Sequence, residues 1–140
     1  MQPDELQQLR DQLIGHEGCK LKPYADVAGK ITIGVGRNLT DKGLSTAEVT
    51  MLLDNDILEC IADLMHTYSW FVTLDQVRQH AIIDMRFNLG AAGFARFPNL
   101  IHALAVADYQ DAARQMLASL WAQQVGHRAD DLAAMMRNGA

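Results

Sequence analysis

Only one stretch of this chain alternates apolar and polar or small residues with a period of two. Ile31, Ile33 and Val35 interleave with Thr32, Gly34 and Gly36, after Lys-Leu-Lys-Pro-Tyr-Ala-Asp and a turn around Ala28-Gly29. Period two is the signature of a strand, so residues 19–36 predict a small hairpin or meander. Everywhere else the apolar positions recur at helical spacing. A hairpin is marginal by itself and must lean on helices, and strands that do not alternate with helices exclude a doubly wound parallel sheet. The expectation is a segregated α+β fold.

The helices announce themselves by caps and periodicity. Pro3, Asp4 and Glu5 suit a first turn, and Leu6, Leu9, Leu13 and Ile14 carry it to Gly15, predicting a helix over about 3–15. Ser45-Thr46-Ala47-Glu48 is a capping box that opens a run through Val49, Leu52, Leu53, Ile57 and Ile61 toward Met65. Thr73-Leu74-Asp75-Gln76 repeats that signal before Val77, Ala81, Ile82, Met85 and Leu89, with Gly90 as the stop. Segments near 98–107, 109–121 and 127–137 complete five helices after the sheet. No repeat, low-complexity tract or linker interrupts them.

With 140 residues, 49% of them apolar and 21% charged, the chain has the size and composition of one folded domain. Twelve basic against seventeen acidic residues leave a net charge of −5, without the basic footprint of a nucleic-acid binder. The excess is local: residues 41–75 hold one basic and seven acidic side chains. Glu48, Asp54, Asp56, Glu59 and Asp63 read as the solvated face of a helix. Cys19 and Cys60 form no framework and no C-x-x-C pair. No run approaches the roughly 20 apolar residues of a membrane span, and Met-Gln-Pro-Asp-Glu is no export signal. The expectation is a soluble protein made in the cytoplasm, with no membrane insertion.

The densest set of polar groups with catalytic meaning is Glu17, Asp26 and Thr32, around the junction of helix and hairpin. A carboxyl group partly withdrawn from water, as Glu17 would be beside an apolar helix, holds its proton more tightly and suits a general acid. Asp26 in a polar turn would then stay ionised, while Thr32, on the strand face opposite Ile31 and Ile33, holds a water. Two carboxyl groups in different environments are what glycosidic hydrolysis needs. Spacing alone leaves this undecided, since a Glu and an Asp nine residues apart are usually surface residues.

The surrounding pattern is more specific. His16-Glu17-Gly18, Pro23-Tyr24-Ala25-Asp26 and Gly29-Lys30-Ile31-Thr32-Ile33-Gly34-Val35-Gly36-Arg37-Asn38-Leu39-Thr40 resemble the signature of the phage-type lysozymes, endolysins of glycoside hydrolase family 24. The resemblance continues through Leu53-Asp54-Asn55-Asp56, Phe87-Asn88-Leu89-Gly90, Phe97-Pro98-Asn99 and Ser119-Leu120-Trp121 to Arg128. It implies a lysozyme-like α+β fold over one domain, 1–140. A small β-hairpin lobe at about 16–50 would be joined by the long helix to a helical lobe at about 66–140, on which the first helix packs, with a cleft between.

The same resemblance implies a muramidase that cuts the β-1,4 bond between N-acetylmuramic acid and N-acetylglucosamine in peptidoglycan. Glu17 would be the proton donor, and Asp26 and Thr32 would position and activate water with inversion, which asks for carboxyl groups roughly 6.5–9.5 Å apart. Arg128 falls where the family places an arginine facing the catalytic glutamate. Asn38, Phe87 and Asn88 match positions that touch sugar rings, and Leu100 and Gln115 align with further glycan contacts. Arg37 stands where a relative has a histidine paired to an acid, and Asp56 is the matching acid. Phage lysozymes are often basic, so an acidic one must rely on local attraction to an anionic wall.

The remaining motifs read blandly. Gly34-Val35-Gly36 has Leu39 at its sixth position and no helix after it, so it is no dinucleotide loop. His66, His80, His102 and His127 lack metal-ligand spacing, and no metal or cofactor is expected. Trp70, Trp121 and the methionines suit core packing. The expected protein is a monomeric enzyme for host-cell lysis that reaches the periplasmic wall with a holin. A virion-borne wall lysozyme used at entry, a catalytically silent peptidoglycan-binding relative and a transglycosylase are the competing readings.

Overall fold

The computed structural model describes residues 1–140. They divide into two compact units, Met1–Met51 and Leu52–Ala140.

The first unit opens with α1 (Pro3–Glu17), whose start is closed by Glu5 Oε2 accepting the Gln2 amide at 2.7 Å. It runs to Glu17, one half-turn beyond expectation, because Gly15 remains helical and Gly18, at φ 77°, supplies the end. Three antiparallel strands follow in the order β1 (Lys20–Ala25), β2 (Ile31–Gly34) and β3 (Arg37–Asn38). Tyr24 faces Thr32 and Ala25 faces Ile31 across the first pair, while Thr32 faces Asn38 and Ile33 faces Arg37 across the second. Pairing is irregular between Lys20 and Tyr24, where Pro23 has no amide to donate. The strand alternation is as expected, with Thr32 on the buried face and Ile31 exposed.

The helix α2 (Thr46–Thr67) begins in the first unit with the reciprocal bonds of its capping box, Glu48 N to Ser45 Oγ at 3.2 Å and Ser45 N to Glu48 Oε1 at 3.0 Å. Its acidic face is only partly solvated. Asp54, Asp56 and Glu59 are exposed, whereas Asp63 is half-buried and accepts from Arg86 Nε at 3.1 Å. Glu48 is also engaged, as described below.

The second unit holds every buried apolar side chain of the protein, from Cys60 to Met136. A short 3-10 turn (Phe71–Thr73) leads to α3 (Gln76–Ala95), followed by α4 (Pro98–Ala105), α5 (Tyr109–Leu117), α6 (Leu120–Val125) and α7 (His127–Asn138). Leu64, Ile82, Met85, Phe94, Leu104 and Met116 form the centre of the core, each at most 1% exposed. Trp70 and Trp121 pack into it as expected.

Two local readings are corrected. Asp75, not Thr73, caps α3, accepting the Arg78 amide at 3.1 Å, while the Thr73 hydroxyl donates back to the Trp70 carbonyl at 2.6 Å. Gly90, at φ 77° and ψ 168°, is non-helical and interrupts α3, as expected of a stop, and a second helical stretch follows it. The segment 109–121 is two helices, because the Ser119 hydroxyl accepts the Ala122 amide and starts α6 anew. Six helices therefore follow the sheet rather than five. Cys19 is an exposed free thiol and Cys60 a buried one.

Candidate active site

Glu17 is the last residue of α1, and its position follows from the helix stop at Gly18. The sheltered setting expected of it is not what its helix provides. No residue of α1 is buried, Leu6, Leu13 and Ile14 are all more than 40% exposed, and Glu17 itself is exposed. Its carboxylate lies against Gly36 in the turn between β2 and β3.

Asp26 and Thr32 are brought together by the hairpin. Asp26 follows β1, and its Oδ1 accepts the amides of Ala28 and Lys30, both at 2.9 Å, which organises the turn. Its own amide donates to the Lys30 carbonyl at 2.9 Å, and the Thr32 hydroxyl donates to that same oxygen at 3.0 Å. Lys30 thus holds both side chains, its carbonyl accepting from the Thr32 hydroxyl and its amide donating to the Asp26 carboxylate. The hydroxyl proton of Thr32 is committed, so its oxygen is left to accept, and Asp26 keeps Oδ2 for another partner. Thr32 is only 4% exposed.

The turn after β3 is built on Asn38. Its Oδ1 accepts the Asp41 amide at 2.9 Å and its Nδ2 donates to Asp41 Oδ2 at 3.0 Å, so the side chain organises the loop. Arg37 does not find the acid expected from the resemblance: its partner is Glu48 Oε2, at 2.6 Å, rather than Asp56. The reason is local, since the loop after β3 returns at once to the start of α2, and Arg37 also donates to the Gly43 carbonyl at 3.3 Å. The Ser45 amide and hydroxyl, followed by Arg37, hold the Glu48 pKa at about 2 despite opposing desolvation.

In the second unit Phe87 and Asn88 lie exposed on α3, three and two residues before Gly90. Asn88 Oδ1 accepts the indole N–H of Trp121 at 2.8 Å. Leu100 is 1% exposed and part of the core, so a side-chain contact with a sugar is not open to it; the apolar face of α4 turns it inward. Gln115 is half-buried and donates to Asp111 Oδ1 at 3.4 Å. Both border a cavity of about 310 Å³ that Arg96, Asn99 and Ser119 also line. Arg128 is paired with Asp84, its Nε and Nη2 each 2.7 Å from Oδ1. The pair edges a largely apolar cavity of about 400 Å³ with His80, Ile83 and Phe87.

The phage lysozyme family model matches residues 14–137, nearly the whole chain. The chain belongs to the phage lysozyme family. A SAR-endolysin of Escherichia phage Mu is 31% identical over 122 residues, covering 85% of this chain and 68% of that protein. A probable T4-type lysozyme of Dictyostelium discoideum is 23% identical, covering 94% of each chain. The pre-baseplate central spike protein Gp5 of Enterobacteria phage T4 is 26% identical over 94% of this chain, which spans only 28% of that protein.

As a phage lysozyme the chain is a glycoside hydrolase, and its α+β architecture is that of the lysozymes. Four neighbours of this lysozyme's candidate residues escape a reading of side-chain chemistry. The Lys30 carbonyl carries no residue-type signal, because any residue has one. Asp84 lies 44 positions from Arg128, too far for spacing to pair them. Glu48 is legible as a capping residue but not as the partner of Arg37. Gly36 is legible as a turn glycine, whereas its contact with Glu17 is not.

Proposed function

We propose that this phage lysozyme hydrolyses the β-1,4 bond between N-acetylmuramic acid and N-acetylglucosamine in peptidoglycan, with Glu17 as general acid. The carboxylic acid of Glu17 gives its proton to the glycosidic oxygen as the C1–O bond breaks. A water held by the Thr32 oxygen and Asp26 attacks C1 from the opposite face, and Asp26 takes up the proton that the water loses. The anomeric centre inverts, and a reducing end is released. The observation that carries this reading is the pair of acceptors left open: the Ala28 and Lys30 amides occupy Asp26 Oδ1 and the Lys30 carbonyl takes the Thr32 proton, so Asp26 Oδ2 and the Thr32 oxygen remain for a water.

Exposure of Glu17 suits a group that must meet a polymer. Arg128, Asn38, Phe87, Asn88 and Gln115 supply contacts to the glycan or to the acid in this reading, and Leu100 shapes the cavity beside Gln115 without touching sugar. The enzyme acts as a monomer on the periplasmic wall, reaching it from the cytoplasm through a holin, and serves host-cell lysis. No helix is long and apolar enough to cross a membrane.

Mass analysis of soluble fragments from purified peptidoglycan tests the chemistry. The wild type should release reducing disaccharide-peptides, and Glu17→Gln should lower their yield by about a hundredfold or more. Anhydro-muramyl ends would point to a transglycosylase instead, and binding without cleavage to a silent relative. Similarity to the T4 spike protein Gp5 favours a second reading, a lysozyme carried in the virion. Detection of the chain in purified virions would decide for it.

A further inference from the structure

We infer that Gly36 is a positioning residue for the general acid, its missing side chain forming the seat on which the Glu17 carboxyl group rests. This deepens the role proposed above for Glu17 and depends on it for its catalytic consequence. A methyl group on Gly36 would lie 2.8 Å from Glu17 Oε2, 3.2 Å from Cδ and 3.4 Å from Cγ. The first of these is too short for carbon against a carboxylate oxygen, so a side chain at this position must push the end of the Glu17 side chain aside. The backbone there is at φ 66°, a conformation that glycine adopts freely.

The seat is also tethered. Arg37, the next residue, is held by Glu48 at 2.6 Å and by the Gly43 carbonyl at 3.3 Å, which ties this turn to the start of α2. A Cβ at residue 36 would therefore be relieved by rotation of the Glu17 side chain rather than by retreat of the turn. Displacement of a general acid by about 1 Å can cost on the order of a hundredfold in rate.

Gly34 provides an internal control. It shares φ 66° with Gly36, yet a methyl group there would meet nothing within 4 Å. Gly34→Ala and Gly36→Ala therefore both place a Cβ at the same positive φ, and only the second touches Glu17. Both variants should lose comparable thermal stability. On defined peptidoglycan oligomers Gly36→Ala should lose at least about tenfold more kcat than Gly34→Ala, with KM nearly unchanged. The ¹³Cδ resonance of Glu17 should move in Gly36→Ala and stay in place in Gly34→Ala.

Equal kcat and equal ¹³Cδ shifts in the two variants would overturn the inference. Should Gly36→Ala fail to fold, a nuclear Overhauser contact between Gly36 Hα and Glu17 Hγ in the wild type decides the matter, and its absence counts against the seat. If the wild type cleaves no glycan, the catalytic reading fails separately. The resonance and Overhauser measurements then still settle whether Gly36 seats Glu17.

Discussion

Arg37 Nη1 lies 2.6 Å from Glu48 Oε2, so the capping residue of α2 also anchors the last strand of the sheet. Glu48 accepts from Ser45 and from Arg37 with different oxygens, and these bonds hold its pKa at about 2 against an ordinary 4.5. A depressed carboxylate contributes stability above its unfolded pKa and loses it as pH falls through the folded value. Glu48→Gln should therefore lower Tm at neutral pH. The difference from wild type should shrink below about pH 4.5 and vanish near pH 2 in a series of melting curves.

Removal of the Thr32 hydroxyl separates catalysis from folding. Thr32→Val leaves the Lys30 carbonyl with the Asp26 amide alone, a loss of about 1 kcal/mol. The water would lose an acceptor, and kcat should fall about a hundredfold. Thr32→Ser restores the oxygen and should recover most of the activity. Activity in Thr32→Val equal to wild type would remove Thr32 from the mechanism.

Asn88 has a structural partner whatever it does for substrate. Trp121 is 4% exposed and its indole N–H donates to Asn88 Oδ1 at 2.8 Å. Asn88→Ala leaves that donor unpaired and should cost about 1–3 kcal/mol in chemical denaturation. Asn88→Asp keeps an acceptor and should cost less.

Arg78 joins the two ends of the helical unit. Its Nε donates to the Met136 carbonyl at 2.7 Å, Nη2 to Arg137 at 3.0 Å and Nη1 to Asp75 at 2.8 Å, and its guanidinium lies 4.0 Å over the Tyr109 ring. These bonds satisfy carbonyls at the end of α7 that have no partner within the helix. Arg78→Met should destabilise by about 2–3 kcal/mol, seen in the denaturation midpoint, with kcat unchanged.

Asp84 and Arg128 offer a contrast. Their side chains are 44% and 38% exposed, so the pair should contribute no more than about 1 kcal/mol despite its short distances. Asp84→Asn should leave Tm within a few degrees of wild type, and a larger drop would mean the pair is better shielded than its exposure indicates.

The elements were legible where a local rule decides them. Ser45 and Glu48 cap α2 because both partners lie within one turn, and the hairpin over 20–34 follows from its alternation and from the Asp26 turn. Glu17, Asp26 and Thr32 could be named from the motifs around them, whose resemblance to a known family decided what their spacing left open. Local rules failed where two satisfied the same atoms. Thr73 and Asp75 both offered a cap, and the 3-10 turn took the threonine.

The sequence by itself determined the fold class, through periodicity and caps set by near neighbours, and pointed to the family and the three candidate catalytic residues through motifs that resemble those of the phage-type lysozymes. Only tertiary structure decided which face of β2 is buried, that Arg37 meets Glu48, that Leu100 belongs to the core and that Glu17 rests on Gly36. These depend on where distant backbone segments come to lie, and a side chain's identity carries no record of the neighbour that packing will bring to it.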